Sequence, residues 1–144
     1  MLLLSHLAGF GPLQQRHGVD HVMDAVRKTV RTVRSLCDEP GQDPSLLTFL
    51  ITDGTTLVAT QGGKELFVST HKTRCGDRDE CPHLAPECES PSTTGFVNHL
   101  LFSSEVIDGE NVWQPLEKGD IVGVDWRMRV HRAHVERTHL PTAS

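Results

Sequence analysis

Between Gly18 and Cys37 apolar side chains recur every three or four positions, at Val19, Val22, Met23, Val26, Val30, Val33 and Cys37, with Arg27, Lys28, Arg31 and Arg34 between them. This is the period of an amphipathic helix with one buried stripe and a basic, wetted face. Cys37, on the stripe, is expected to be a small core residue. Glu39-Pro40-Gly41 and Asp43-Pro44 end the helix, because proline cannot continue it and glycine permits reversal of the chain. The period then changes. Leu46 to Thr52 is almost continuously apolar, as in a strand covered on both faces, and Asp53-Gly54 predicts a two-residue hairpin into a strand over Thr55 to Thr60. Gly62-Gly63 marks a second turn before a strand over Glu65 to Thr70.

From His71 to Gly95 the pattern dissolves into proline, glycine, serine, threonine, charges and cysteines, a long connection for one compact domain and therefore a candidate for function. Strand character returns over Val97 to Ser104. Asp108-Gly109 and Lys118-Gly119-Asp120 mark turns on either side of Trp113, and Ile121 to Trp126 is the next strand. Met128 to Val135 reads as its partner, with enough charge to lie at a sheet edge. Trp113 and Trp126, bulky aromatics near turns, are expected to close a core. Met1 to Leu7 reads as the end of a helix whose beginning is absent, broken by Gly9, Gly11 and Pro12, and Leu140 to Ser144 as a frayed tail. There is no internal repeat. The pattern predicts one α+β domain over residues 1–144, mainly antiparallel sheet with one long amphipathic helix.

Composition narrows the function classes. The chain has 144 residues, 37% of them hydrophobic, enough to bury a core without staples. Its net charge of -5 argues against a nucleic-acid backbone as partner. No apolar run reaches the roughly 18 residues of a membrane span, and the opening is too short and too interrupted for a secretory signal, so the expected compartment is the cytoplasm.

Two constellations carry possible chemistry. Cys75, Cys81, His83 and Cys88, with His71 nearby, supply the thiolates and imidazole of a tetrahedral zinc site, although the cysteine gaps are wider than the usual ligand pairs. A disulfide or unlinked thiols are the alternatives, the cytoplasm disfavouring the former. Ser103-Ser104-Glu105 with His99 has the residue types of a hydrolase. On one strand, however, His99 and Ser103 stand about 13 Å apart at ~3.3 Å per residue, so the hydroxyls are expected to satisfy backbone at a strand end. His131, His134 and His139 read as solvated, and the basic helix face as solvated rather than as a docking surface.

The ordered series as a whole resembles one family. After the helix come Leu46-Leu47-Thr48-Phe49-Leu50-Ile51-Thr52-Asp53-Gly54-Thr55-Thr56-Leu57-Val58-Ala59-Thr60, then Leu66-Phe67-Val68-Ser69, Phe102-Ser103-Ser104-Glu105, Trp113-Gln114-Pro115-Leu116 and Gly119-Asp120-Ile121. Their order and spacing resemble the C-terminal half of class II glutamine amidotransferases, in the single-domain branch that includes the ergothioneine-pathway amidohydrolase. The match runs over about residues 1–131 and is interrupted by the cysteine-rich loop at 71–95, which departs from the family pattern. The resemblance implies a partial N-terminal-nucleophile hydrolase (αββα) fold and release of ammonia from glutamine or a glutamyl amide. It also implies a nucleophilic cysteine at a mature N-terminus, an asparagine-glycine pair for the oxyanion and an acid for the substrate amine, all ahead of the matched region.

Met1 is followed by bulky Leu2, and no cysteine precedes Cys37, so the chain is expected to lack the nucleophile and to hold no catalytic residue of its own. A truncated or split enzyme, inactive alone, is the leading expectation. Its partner is the missing N-terminal half or, in its absence, a second copy of the chain. The rivals are a paralogue that kept the fold and lost the nucleophile, and a non-catalytic zinc- or partner-binding α/β module built around the cysteine-rich loop.

Overall fold

The computed structural model describes residue 3, residues 5–6 and residues 17–137. Helix α1 spans Val19–Cys37 and buries Val19, Val22, Met23, Ala25, Val26 and Val30, the stripe expected from the periodicity. The stripe stops short of the helix end: Val33 is only half-buried and Cys37 is exposed, which corrects the expectation of a core thiol. Nor is the basic face uniformly wet, since the Arg27 and Arg34 side chains retain only 20% and 18% of their exposure. Their aliphatic stems cover the flank of the apolar stripe while the guanidiniums find carboxylates.

Seven strands follow: β1 Phe49–Thr52, β2 Leu57–Thr60, β3 Phe67–Ser69, β4 Leu101–Ser103, β5 Gln114–Pro115, β6 Asp120–Val124 and β7 Val130–His134. They form two antiparallel sheets, a four-stranded sheet A in the order β1-β2-β6-β7 and a three-stranded sheet B in the order β4-β3-β5. The α+β class is therefore as expected. Side chains alternate faces along a strand, and this sorts sheet A into two cores. Val58 and Ile121 point to α1 and join Val22, Met23, Val26 and Val30, while Ala59 and Val122 point to sheet B and meet Leu66, Val68 and Leu116. Helix, sheet A and sheet B thus lie in three successive layers.

Several expected strands are shorter or differently placed than the sequence indicates. The apolar run Leu46 to Thr52 is an edge, not a central strand: only Phe49–Thr52 pairs, and Leu46 and Leu50 are 67% and 50% exposed. Leu47 instead lies against Gly62, whose backbone passes so close that an added Cβ would stand 2.2 Å from the Leu47 carbonyl carbon. The β1–β2 connection runs from Asp53 to Thr56 rather than being the two-residue turn expected. Asp53 Oδ1 closes it by accepting the Thr55 and Thr56 N–H groups at 2.9 and 2.7 Å. Burial would raise the Asp53 pKa, but these donors together hold it below the ordinary carboxylate value.

The β6–β7 hairpin turns at Asp125, with Met128 in the left-handed region at φ 62°. Trp126, at its tip, is 71% exposed and stacks under the Arg127 guanidinium, contrary to the expectation that it closes a core. Trp113 is half-buried and donates its indole N–H to the Ile107 carbonyl at 2.9 Å. The expected helix over Met1 to Leu7 lies largely outside the described residues, although Leu3 is helical and packs partly buried against the α1 core. Leu140 to Ser144 and His139 also lie outside them.

Candidate functional site

Strand β7 ends sheet A, and β5, only two residues long, ends sheet B on the same side of the sandwich. Between and around these ends opens a groove of about 990 Å³. Its walls come from distant parts of the sequence: Met23 and Arg27 of α1 on one face of β7, and Thr70 and Gln114 on the other. The edge strand therefore has open space on both of its faces.

Backbone geometry determines what the edge offers. The N–H and C=O of a strand residue point to one side, and the side alternates along the chain. Val130 sends its N–H outward, to the Gly95 carbonyl at 2.8 Å, whereas Val135 sends its N–H inward, to Gly119 at 2.7 Å. Arg132 and His134 therefore point their backbone groups outward, and no backbone bond to either is made among the described residues. The segment around Phe96 covers the start of β7, through its bridge to Arg129, and no other strand among the described residues pairs with the outer edge of β7.

The charges in the groove are unevenly engaged. Asp24 takes Arg27 and Lys28, the latter at 2.8 Å. Burial would raise its pKa, but the Lys28 and Arg27 hydrogen bonds outweigh this and hold it low. Asp20 Oδ1 lies 3.1 Å from His131 Nδ1, and Asp120 Oδ2 accepts the Glu117 N–H at 2.9 Å. His134 Nε2 lies 3.1 Å from the Lys118 carbonyl, so His131 and His134 are tethered rather than simply solvated as expected. Arg129 lies over the Phe96 ring at 5.9 Å. Arg132 and Arg137, both exposed, have no carboxylate partner among the described residues. Asp24 thus has cationic partners, while Asp20 stays 73% exposed beside His131.

The cysteine-rich segment is not structureless. Glu89 accepts the Cys75 N–H at 2.9 Å and pairs with Arg78, and Glu110 accepts the Gly76 N–H at 3.0 Å. The Cys75 N–H and then Arg78 hold the Glu89 pKa below its ordinary value against some desolvation. A 3-10 turn over Pro86–Cys88 carries the third thiol, whose Sγ accepts from Asn98 Nδ2 at 2.9 Å. Cys75, Cys81 and Cys88 are free and half-buried, His83 is exposed and His71 is buried. Among the described residues no group of three or more His, Cys, Asp or Glu side chains is placed to hold a metal ion. Cys75, Cys81, His83 and Cys88 form no such group among the described residues.

At the end of β4, Ser103 Oγ accepts the Glu105 N–H at 3.2 Å, the backbone role expected of it. His99 precedes the strand, and burial, with Lys72 and His71 nearby, lowers its pKa and favours the neutral ring. The groove was not legible as a site in the sequence, because Met23, Thr70, Gln114 and Arg132 belong to no common motif. The one available signal was the charge on the strand ending in His134, which marked it as an edge. Comparison with protein-family models, with curated proteins and with solved structures finds no match to this chain.

Proposed function

We propose that the chain is the C-terminal, scaffolding half of a class II glutamine amidotransferase-like domain, of the N-terminal-nucleophile hydrolase type. The observation that carries this reading is the layering. One helix layer, then a four-stranded and a three-stranded antiparallel sheet, is what three of the four layers of an αββα fold look like. It arises here from elements in the same order as the motif series ending in Gly119-Asp120-Ile121. In the assembled domain a cysteine borne elsewhere attacks the amide carbon of glutamine, ammonia leaves, and water then cleaves the thioester to glutamate. The residues of this chain contribute sheet and helix framework to that site, and none of Cys37, Cys75, Cys81 or Cys88 is the nucleophile.

The test uses the protein isolated from cells together with its associated polypeptide. Release of glutamate and ammonia from L-glutamine is expected, with 6-diazo-5-oxo-L-norleucine labelling a cysteine other than those four. A monodisperse, cooperatively unfolding monomer that neither hydrolyses glutamine nor takes the label overturns the reading.

A further inference from the structure

We infer that the β7 edge is a docking site for an extended polypeptide segment that adds to sheet A as a further strand, with carboxylates on the side chains that face sheet B. Three features converge on this occupant. The outward backbone groups of Arg132 and His134 form no hydrogen bond with a described residue, although the neighbouring Val130 makes one to Gly95. Strand addition satisfies such groups with main-chain hydrogen bonds and draws its specificity from alternate side chains. The groove runs along the β7 edge, where an added strand would lie.

The two faces also differ chemically. On the sheet B side the strand presents Arg132, with Arg137 beyond its end, and Asp120 on that face already accepts the Glu117 N–H. On the α1 side it presents His131 and the small, exposed Ala133, and the α1 wall there is lined by Asp20, Asp24 and Arg27 around the buried Met23. An incoming strand whose carboxylates face sheet B matches the guanidinium charge of Arg132 on that side. A second copy of the chain pairing antiparallel through β7 would bring Arg132 opposite the Arg132 or His134 of that copy, which disfavours self-pairing. Strand capture needs only the groove and not the amidotransferase chemistry, so the two readings fail separately: one by peptide binding, the other by glutamine hydrolysis.

The experiment titrates the full chain with a fluorescein-labelled peptide of alternating valine and glutamate, read by anisotropy, alongside the same peptide with lysine for glutamate. Saturable binding of the glutamate peptide is expected, at least about tenfold tighter than the lysine peptide, with slowed hydrogen exchange at the Arg132 and His134 amides. Arg132→Glu should weaken it by about tenfold or more. Arg132→Pro removes one outward N–H and leaves the inward bonds to β6 in place, so it should abolish binding while the far-UV circular dichroism is kept. Arg132→Gln, with unaltered backbone, provides a second variant should the proline fail to fold, and should weaken the glutamate peptide selectively. Absence of binding at millimolar peptide, equal affinity for the two peptides, or a concentration-dependent dimer that Arg132→Glu dissociates would overturn the assignment.

Discussion

Ile121 offers the sharpest test of the layered core. It is fully buried, lies in the second strand from the sheet edge, and points into the seam between sheet A and α1 among Val22, Met23, Val26 and Val30. Ile121→Ala removes three carbons, a transfer loss of about 2.4 kcal/mol at ~0.8 kcal/mol per carbon. Neighbours from two layers, each anchored in its own backbone ladder, restrict collapse into the void. A cavity contribution should therefore bring the total to about 3–4 kcal/mol, within the ~2–5 kcal/mol usual for such truncations. Ile121→Val should cost about 1 kcal/mol. Leu50→Ala, at a side chain 50% exposed on the far edge of the same sheet, should cost less than about 1 kcal/mol. Urea titration followed by circular dichroism reads all three, with an unchanged slope for each variant. For a chain of 144 residues the alanine variant should melt roughly 10–15 °C lower. If Ile121→Ala costs no more than Leu50→Ala, the seam between helix and sheet is not the core described and the layer order is wrong.

Three further outcomes follow from individual residues. Asp125 Oδ1 accepts the Arg127 and Arg129 N–H groups at 2.9 and 3.0 Å, and these donors, helped by His131, hold its pKa low despite desolvation. A depressed carboxyl stabilises above its unfolded value near ~3.9 and loses that contribution as pH falls through the folded value. Asp125→Ala should therefore cost about 1–2 kcal/mol at neutral pH, a gap that closes in acid denaturant titrations below about pH 4. Met128 holds φ at 62°, so Met128→Gly should relieve backbone strain and raise stability by up to about 1 kcal/mol; a lowered melting temperature refutes it. Exposed Cys37 should be alkylated by iodoacetamide before half-buried Cys75, Cys81 and Cys88, as peptide mass mapping will report, and simultaneous modification of all four contradicts the burial described.

The helix and the edge character of β7 were legible because each rests on a local signal, a 3.6-residue period in one case and charge on a strand in the other. Leu46 to Thr52 misled for a physical reason. Its apolar residues serve different surroundings: Leu46 and Leu50 are at least half in solvent, while Leu47, Phe49 and Ile51 pack toward α1. Sequence gives their hydrophobicity but not which neighbour absorbs it. Cys37 failed in the same way, since the stripe is covered only as far as the sheet reaches. The course of the cysteine-rich loop was not legible, because it is set by Glu89 and Glu110 accepting the Cys75 and Gly76 N–H groups, contacts distant in sequence. The groove exists only once α1, Thr70, Gln114 and β7 are brought together.

The entry and exit of sheet B are joined. Gln61 N–H reaches the Asp120 carbonyl at 2.9 Å, and Gly119 N–H reaches the Gln61 carbonyl at 2.8 Å, so the chain between β2 and β6 leaves and returns to sheet A at the same point, meeting its backbone on the way where Gly95 to Val97 pair with the start of β7. In folding terms the two hairpins of sheet A form from neighbours in sequence, while their union at β2–β6 must wait for this excursion to close. Closure entropy grows only logarithmically with loop length, about 0.6 kcal/mol for each doubling. The excursion can therefore lengthen or shorten at little thermodynamic cost, and the 71–95 segment is the place in this chain where insertions are most easily absorbed.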